Sequence, residues 1–218
     1  MEKRWDSHLR FPFLLFLALC SQVQSNEQTH TYSVGDRINL WVNKVGPYHN
    51  PQETYEYFKL PYCKPELGIK TTKKRLSIGE ELEGHDLTNS GYAIYFSKDV
   101  EPTKLCSQVL SKQDAKQFAD AVDVHYWYQM YLDDLPIWGM VGEIYQGDGA
   151  ADKDTDKFVF THRKLSISYN GPRVIEVNLT SENLKPIKAG AQLDFTFSVK
   201  WTPTNKPFAR RFDRYLDN

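Results

Sequence analysis

The chain has 218 residues, 40% of them hydrophobic and 14% aromatic, with a formal net charge of −1. That length has room for one large domain or two small ones, each with a real core. The balanced charge gives no electrostatic reason to expect nucleic acid, which needs a basic surface to displace counterions, and the aromatic content suits sheets better than helical bundles.

Lys3, Arg4 and Arg10 precede an apolar run from Phe11 to Cys20. The run is too short to cross a bilayer as a helix but suits the apolar region of a secretory signal. Val23 and Ser25 are small residues at a plausible cleavage site. Residues 1–25 are therefore read as a signal peptide and 26–218 as the mature β-rich domain, against the alternative of an uncleaved anchor. No later stretch is long or apolar enough for a spanning helix. Asn26 to Val34 is polar and expected to fray.

The core begins with a strand over Arg37 to Val45, where Ile38, Leu40 and Val42 alternate with Asn39, Trp41 and Asn43. Gly46-Pro47 and Asn50-Pro51 then impose turns, because proline fixes its own φ and pushes the preceding residue towards extended backbone. Thr54 to Leu60 is again extended in character. Pro61-Tyr62-Cys63 closes the stretch. Thr71 to Arg75 is a basic, solvated link, since so few charges make little field through salt. Gly79 to Gly84 is acidic and turn-rich, and Gly91 to Ser97 is a strand with Tyr92, Ile94 and Phe96 on one face.

Ser111 to Val122 is the one convincing helix. Ser111 can cap it, with Asp114 placed for a capping box and for the positive end of the helix dipole. Ala115, Phe118, Ala119 and Val122 form an apolar stripe that should pack on a sheet. Val124, Tyr126, Tyr128, Met130 and Leu132 then switch to period two. Asp134-Leu135-Pro136 is a turn, and Ile137 to Tyr145 resumes as strand. Residues 147–157 form an acidic loop. Its Asp152, Asp154 and Asp156 imitate the start of a calcium loop, but Lys157 and Arg163 stand where the glycine and the bidentate glutamate belong. No metal is assigned. Leu165, Ile167 and Tyr169 form one face of a strand, Asn170-Gly171 suits a hairpin turn, and Val174 to Leu179 returns. Leu193, Phe195, Phe197, Val199 and Trp201 give a half-buried strand. Such strands need a second layer, so the fold class is mainly β: an antiparallel β-sandwich with one packed α-helix.

No catalytic set emerges. The nucleophile elbow, the zinc-protease helix and the phosphate-binding glycine loop are missing from the sequence. His49, His85, His125 and His162 are scattered. No cofactor is implied. Cys20 leaves with the leader, so Cys63 and Cys106 remain as an even pair in an oxidising compartment. They are the disulfide candidate, and two free buried thiols are the alternative. Asn178-Leu179-Thr180 is the sole Asn-x-Ser/Thr sequon. Asn178 is the glycosylation candidate, because Ile175, Val177 and Leu179 should face the core and turn Asn178 outward with Glu176.

Six stretches carry a resemblance. They are Asn43-Lys44-Val45-Gly46-Pro47-Tyr48 with Asn50-Pro51-Gln52-Glu53-Thr54-Tyr55; Leu60-Pro61-Tyr62-Cys63-Lys64-Pro65; Ile78 to Gly84 followed by Asp133-Asp134-Leu135-Pro136-Ile137-Trp138-Gly139; and Arg211-Phe212-Asp213-Arg214-Tyr215-Leu216-Asp217. In this order they resemble the nonaspanins, the transmembrane-9 superfamily, over nearly everything after the leader. A nonaspanin continues into nine membrane spans, whereas this chain ends before the first. The resemblance implies a non-enzymatic luminal module that contacts its own membrane domain or the luminal parts of cargo. The implied role is the sorting and trafficking of membrane proteins through Golgi and endosomes. The alternative is a secreted sandwich that binds carbohydrate or acts as a hydrolase. A soluble luminal or secreted product with a loosely packed C-terminus is expected.

Overall fold

A computed structural model describes residues 26–64, 74, 86–145 and 156–216. The predicted signal peptide, the Gly79–Gly84 segment, His85 and Asp152 and Asp154 of the acidic loop lie outside the described residues.

Two five-stranded sheets face each other across one core. The first contains β2 (Leu40–Pro47), β3 (Tyr55–Glu56), β4 (Thr88–Asn89), β7 (Tyr126–Leu132) and β8 (Leu135–Met140). The second contains β6 (Val100–Val109), β9 (Gly142–Tyr145), β10 (Asp156–Asn170), β11 (Arg173–Pro186) and β12 (Gln192–Pro203). A short ribbon pairs β1 (Arg37–Ile38) with β5 (Ile94–Tyr95). Tyr128, Met130 and Leu132 from the first sheet meet Leu165, Ile167, Phe195, Phe197 and Val199 from the second, all buried. The mainly β sandwich is as expected, with one refinement. β10 pairs antiparallel with β11 but parallel with β12. The chain leaves β11 and crosses to the far side of β10, so the second sheet is mixed.

The helix α1 (Lys112–Asp123) starts where its cap predicts. Ser111 Oγ accepts from the Asp114 amide at 3.1 Å, and Asp114 Oδ2 accepts from the Ser111 amide at 2.9 Å. Phe118, Ala121 and Val122 are its buried residues, and it packs on β7, β9 and β10.

Several boundaries differ from the sequence reading. Tyr57–Lys59 coils into a 3-10 turn that buries Tyr57, so the expected extended segment ends at Glu56. The β7–β8 turn consists of Asp133 and Asp134, both at positive φ, and Leu132 pairs with Leu135. Two successive left-handed residues match the twist of a tight hairpin, and aspartate tolerates that region. Pro136 belongs to β8, where an edge strand accepts it. The expected strand over Ile137–Tyr145 divides at Val141 between the two sheets. Gly142 permits the passage, because a Cβ there would run into the Phe158 carbonyl. Strand β6 was not foreseen: it is an edge strand, mostly exposed, with Pro102 inside it.

Both ends of the described chain are tied down, contrary to the frayed start and loose finish expected from sequence. Tyr32 is buried, and its amide donates to the Pro172 carbonyl at 2.8 Å. Phe208–Arg210 and Asp213–Tyr215 form 3-10 turns, and Arg211 between them is buried. The physical reason is a buried carboxylate, Asp133, that both terminal segments bond.

Candidate functional site

The Asp133 side chain is fully buried at the β7–β8 turn. Arg211 Nη1 donates to Oδ2 at 2.7 Å. His30 Nδ1 donates to Oδ1 at 3.0 Å, and the Tyr32 hydroxyl donates to the same oxygen. A carboxylate deprived of water is tolerated when it is paired and its lone pairs are filled. Burial, then the adjacent Asp133 charge, holds the Tyr32 phenol protonated well above its ordinary range. The Arg211 guanidinium also lies over the Phe208 and Phe212 rings at 4.4 and 4.8 Å. Beside it, Lys74 pairs with Asp134 at 2.5 Å with its side chain only 20% exposed, so this residue of the predicted basic link is not simply solvated. The Asp133 block and the Arg211 block thus form one junction, together with the N-terminal His30 and Tyr32.

A second buried cation, Arg163 on β10, has phenols as its partners among the described residues. Nε donates to the Tyr128 hydroxyl at 2.8 Å and Nη1 to the Tyr92 hydroxyl at 3.0 Å. The guanidinium lies over the Tyr62, Tyr128 and Tyr57 rings at 4.6, 4.9 and 5.8 Å. Burial raises the Tyr57, Tyr62 and Tyr92 phenols, with Arg163 partly opposing it. The cavity beside this cage has about 10 Å³, room for roughly one water. It is a core device and admits no substrate.

Cys63 and Cys106 form a disulfide with Cα atoms 5.9 Å apart. The bond fastens the segment after β3, in the first sheet, to edge strand β6 in the second. Its neighbour Tyr62 packs on Tyr57, Phe118 and Phe195, centroids 4.9 to 5.6 Å away. Asn178 is exposed on β11 beside the buried Val177, on the outward face expected from the alternation. Its Oδ1 accepts from Arg214 Nη2 at 2.9 Å.

Among the described residues the histidines gather at no single site. His49 and His125 lie edge-on, centroids 6.2 Å apart. His162 is hydrogen-bonded through Nδ1 to Thr196 Oγ1 at 2.7 Å and through Nε2 to Ser198 Oγ at 2.9 Å. Ser198 and His162 resemble a nucleophile and its base, but the third partner is a hydroxyl instead of a carboxylate. No group of three or more potential metal ligands occurs among the described residues. No helix among them is long and apolar enough to cross a membrane.

Sequence reasoning missed the surface around β2 and β7. The period-two set Val124, Tyr126, Tyr128, Met130 and Leu132 leaves Trp127 and Gln129 on the opposite face, although Val124 itself caps α1, is exposed and precedes β7. Together with the 48–54 loop, Trp127 and Gln129 line an open groove of about 450 Å³. The signal was present in the same period-two pattern, read from its other face.

The Endomembrane protein 70 family model matches residues 54–218. Transmembrane 9 superfamily member 2 of Arabidopsis thaliana is 39% identical over 197 residues, covering 88% of this chain and 33% of that protein. Member 3 from the same plant is 37% identical over 211 residues, with 95% and 35% coverage. Transmembrane 9 superfamily member 1 of Bos taurus is 37% identical over 211 residues, with 94% and 34% coverage. The chain spans about a third of the length of these curated relatives. No solved structure matches. The chain belongs to the Endomembrane protein 70 family, the transmembrane-9 superfamily of nonaspanins.

Proposed function

We propose that residues 26–218 form a non-enzymatic luminal module of a membrane protein that sorts and traffics other membrane proteins through Golgi and endosomes. The observation that carries the reading is the Asp133–Arg211 junction. It clamps the segment after β12 onto the sandwich, so the domain is held rigidly on the stretch that resembles the family's approach to its first span. Such a clamp suits a module that works against its own membrane domain or against the luminal parts of cargo. The disulfide supports an oxidising, luminal compartment.

Depleting the protein from cells should slow the surface delivery of a set of membrane proteins, and re-expression should restore it. Chemical crosslinking on intact Golgi membranes should capture luminal parts of the delayed proteins. Unchanged delivery after complete depletion would reject this function.

A further inference from the structure

Residues 43–55, one of the stretches that carry the resemblance, do not disappear into the core. They build the groove on the outer face of the first sheet. Asn43 from β2 and Trp127 and Gln129 from β7 form the floor, and Pro51, Gln52, Glu53 and Thr54 form a wall. The wall sits close because Gly46 has no Cβ, where one would collide with the Glu53 carbonyl. Two contacts hold the Glu53 carboxylate in place: the Tyr55 hydroxyl donates to it at 2.7 Å and Asn50 Nδ2 at 3.3 Å. Asn43 Nδ2 donates to Gln129 Oε1 at 3.3 Å, which orders the floor. The groove is therefore organised before any ligand arrives, which lowers the entropy lost on binding.

Aromatic rings flank it. Tyr48 is 58% exposed and stands edge-on to Trp127, centroids 6.1 Å apart. Trp138 on β8 lies outside the groove lining but pairs directly across the strands with Gln129, so it extends the same outer face; it is 41% exposed, with its ring 6.1 Å from that of Tyr215. Partly exposed indole and phenol rings are typical of recognition surfaces, where one part is apolar and the other wet.

The lining discriminates among ligand classes. Among the described residues of the lining, Lys44 is the one cation and Glu53 the one anion, so neither an anion nor a cation is favoured. Asn43 spends its amide on Gln129 and on the Asp86 amide, which leaves Gln52 and the Gln129 nitrogen to present hydrogen-bonding groups to a ligand. The floor is too polar for a lipid chain. A ligand with alternating hydroxyls and an apolar ring face fits this set: hydroxyls to the amides and to Glu53, ring face on Trp127 or Trp138. The volume lies within the range of small-molecule sites.

We infer that this groove binds a neutral hexopyranose unit of a protein-linked glycan. The inference deepens the proposed sorting role by naming the chemistry of the luminal partner, and it rests on that role for the source of the glycan. The test uses the chain secreted from a eukaryotic host, stripped of its own glycans by an amidase. It is applied to an array of neutral oligosaccharides, to vesicles carrying neutral glycolipids and to polar peptides. Retention on protein-type oligosaccharides is expected. Gln52→Ala, in the exposed loop, and Trp138→Ala, on the exposed face, should each weaken it tenfold or more with the circular dichroism spectrum unchanged. Glu53→Gln should weaken it as well. Retention of no sugar, equal retention by all three variants, or preference for peptides or glycolipid vesicles would overturn the inference. Cells separate the two readings. If Gln52→Ala abolishes sugar binding but still restores membrane-protein delivery, the sorting role stands and the glycan role in it fails.

Discussion

Arg211 and Asp133, 78 positions apart in sequence, form a 2.7 Å ion pair whose side chains are 3% and 0% exposed. Breaking a buried pair from one side leaves the other charge stranded, which costs about 3–5 kcal/mol. Arg211→Ala should therefore destabilise the domain by about that amount in urea denaturation, and Asp133→Asn by a comparable amount. The double variant should lose less than the sum, because neither charge is then left alone. If Arg211→Ala unfolds at the wild-type midpoint, the segment after β12 is not fixed by this pair.

The disulfide has a separate expected effect. Closing a span of 43 positions restricts the unfolded chain by about 4 kcal/mol in the loop-entropy model. Non-reducing mass spectrometry should recover the Cys63 and Cys106 peptides linked. The Cys63→Ser/Cys106→Ser double variant should lose up to that stability and free the segment containing Tyr62, detected by faster hydrogen exchange there. Two freely alkylated thiols in the secreted protein would reject the bond.

Different parts of the fold were legible for different reasons. Strand β12 was plain because one face is buried and the other is not, and Leu193 to Trp201 keep strict period two. The α1 start was plain because a capping box is a local signal. The cysteine pair followed from parity and compartment. Strand β6 was hidden because an edge strand with Pro102 and mostly exposed side chains carries no alternation. The division of β8 from β9 was hidden because the role of Gly142 is a close approach to Phe158, a tertiary fact. The Asp133–Arg211 junction was invisible for the same reason. Both residues stood in recognised blocks, yet nothing local says that one neutralises the other. The groove lay between two faces of knowledge: the sequence named its residues as strand and turn, and only the closure of the 48–54 loop over Trp127 makes them a surface with a shape.

Acid should weaken the sandwich through His162. Burial lowers its pKa below the ordinary value of 6.5. The unfolded chain then binds more protons than the native one as pH falls through that value, so stability rises with pH in this window. The contribution is complete above 6.5 and is lost progressively as pH falls towards the lower folded-state value. His162→Gln keeps a polar group between Thr196 and Ser198 and removes the titration. Denaturation midpoints of the variant should change less than those of the wild type between neutral pH and about pH 5. Parallel curves for the two proteins would show that His162 does not carry the acid sensitivity.

Asn178 is the site where topology and modification are tested together. It is exposed on β11, opposite Ser166 on β10, and Thr180 two positions on completes the acceptor sequence. Attachment occurs at the side-chain nitrogen, whereas Arg214 uses the Asn178 oxygen. The Arg214 contact is thus compatible with a glycan, and Arg214→Ala should leave occupancy unchanged. A single N-linked glycan is expected when the chain passes through a secretory host, since Asn178 faces solvent and no other sequon competes. Amidase treatment should lower the mass by one glycan. Asn178→Gln should abolish that shift, and Thr180→Ala should do the same while keeping Asn178 itself. The pair of variants distinguishes recognition of the sequon from an indirect effect of altering Asn178. An unchanged mass in the wild-type protein after amidase treatment would mean that the Asn178 sequon is not used, and the predicted glycan would be rejected.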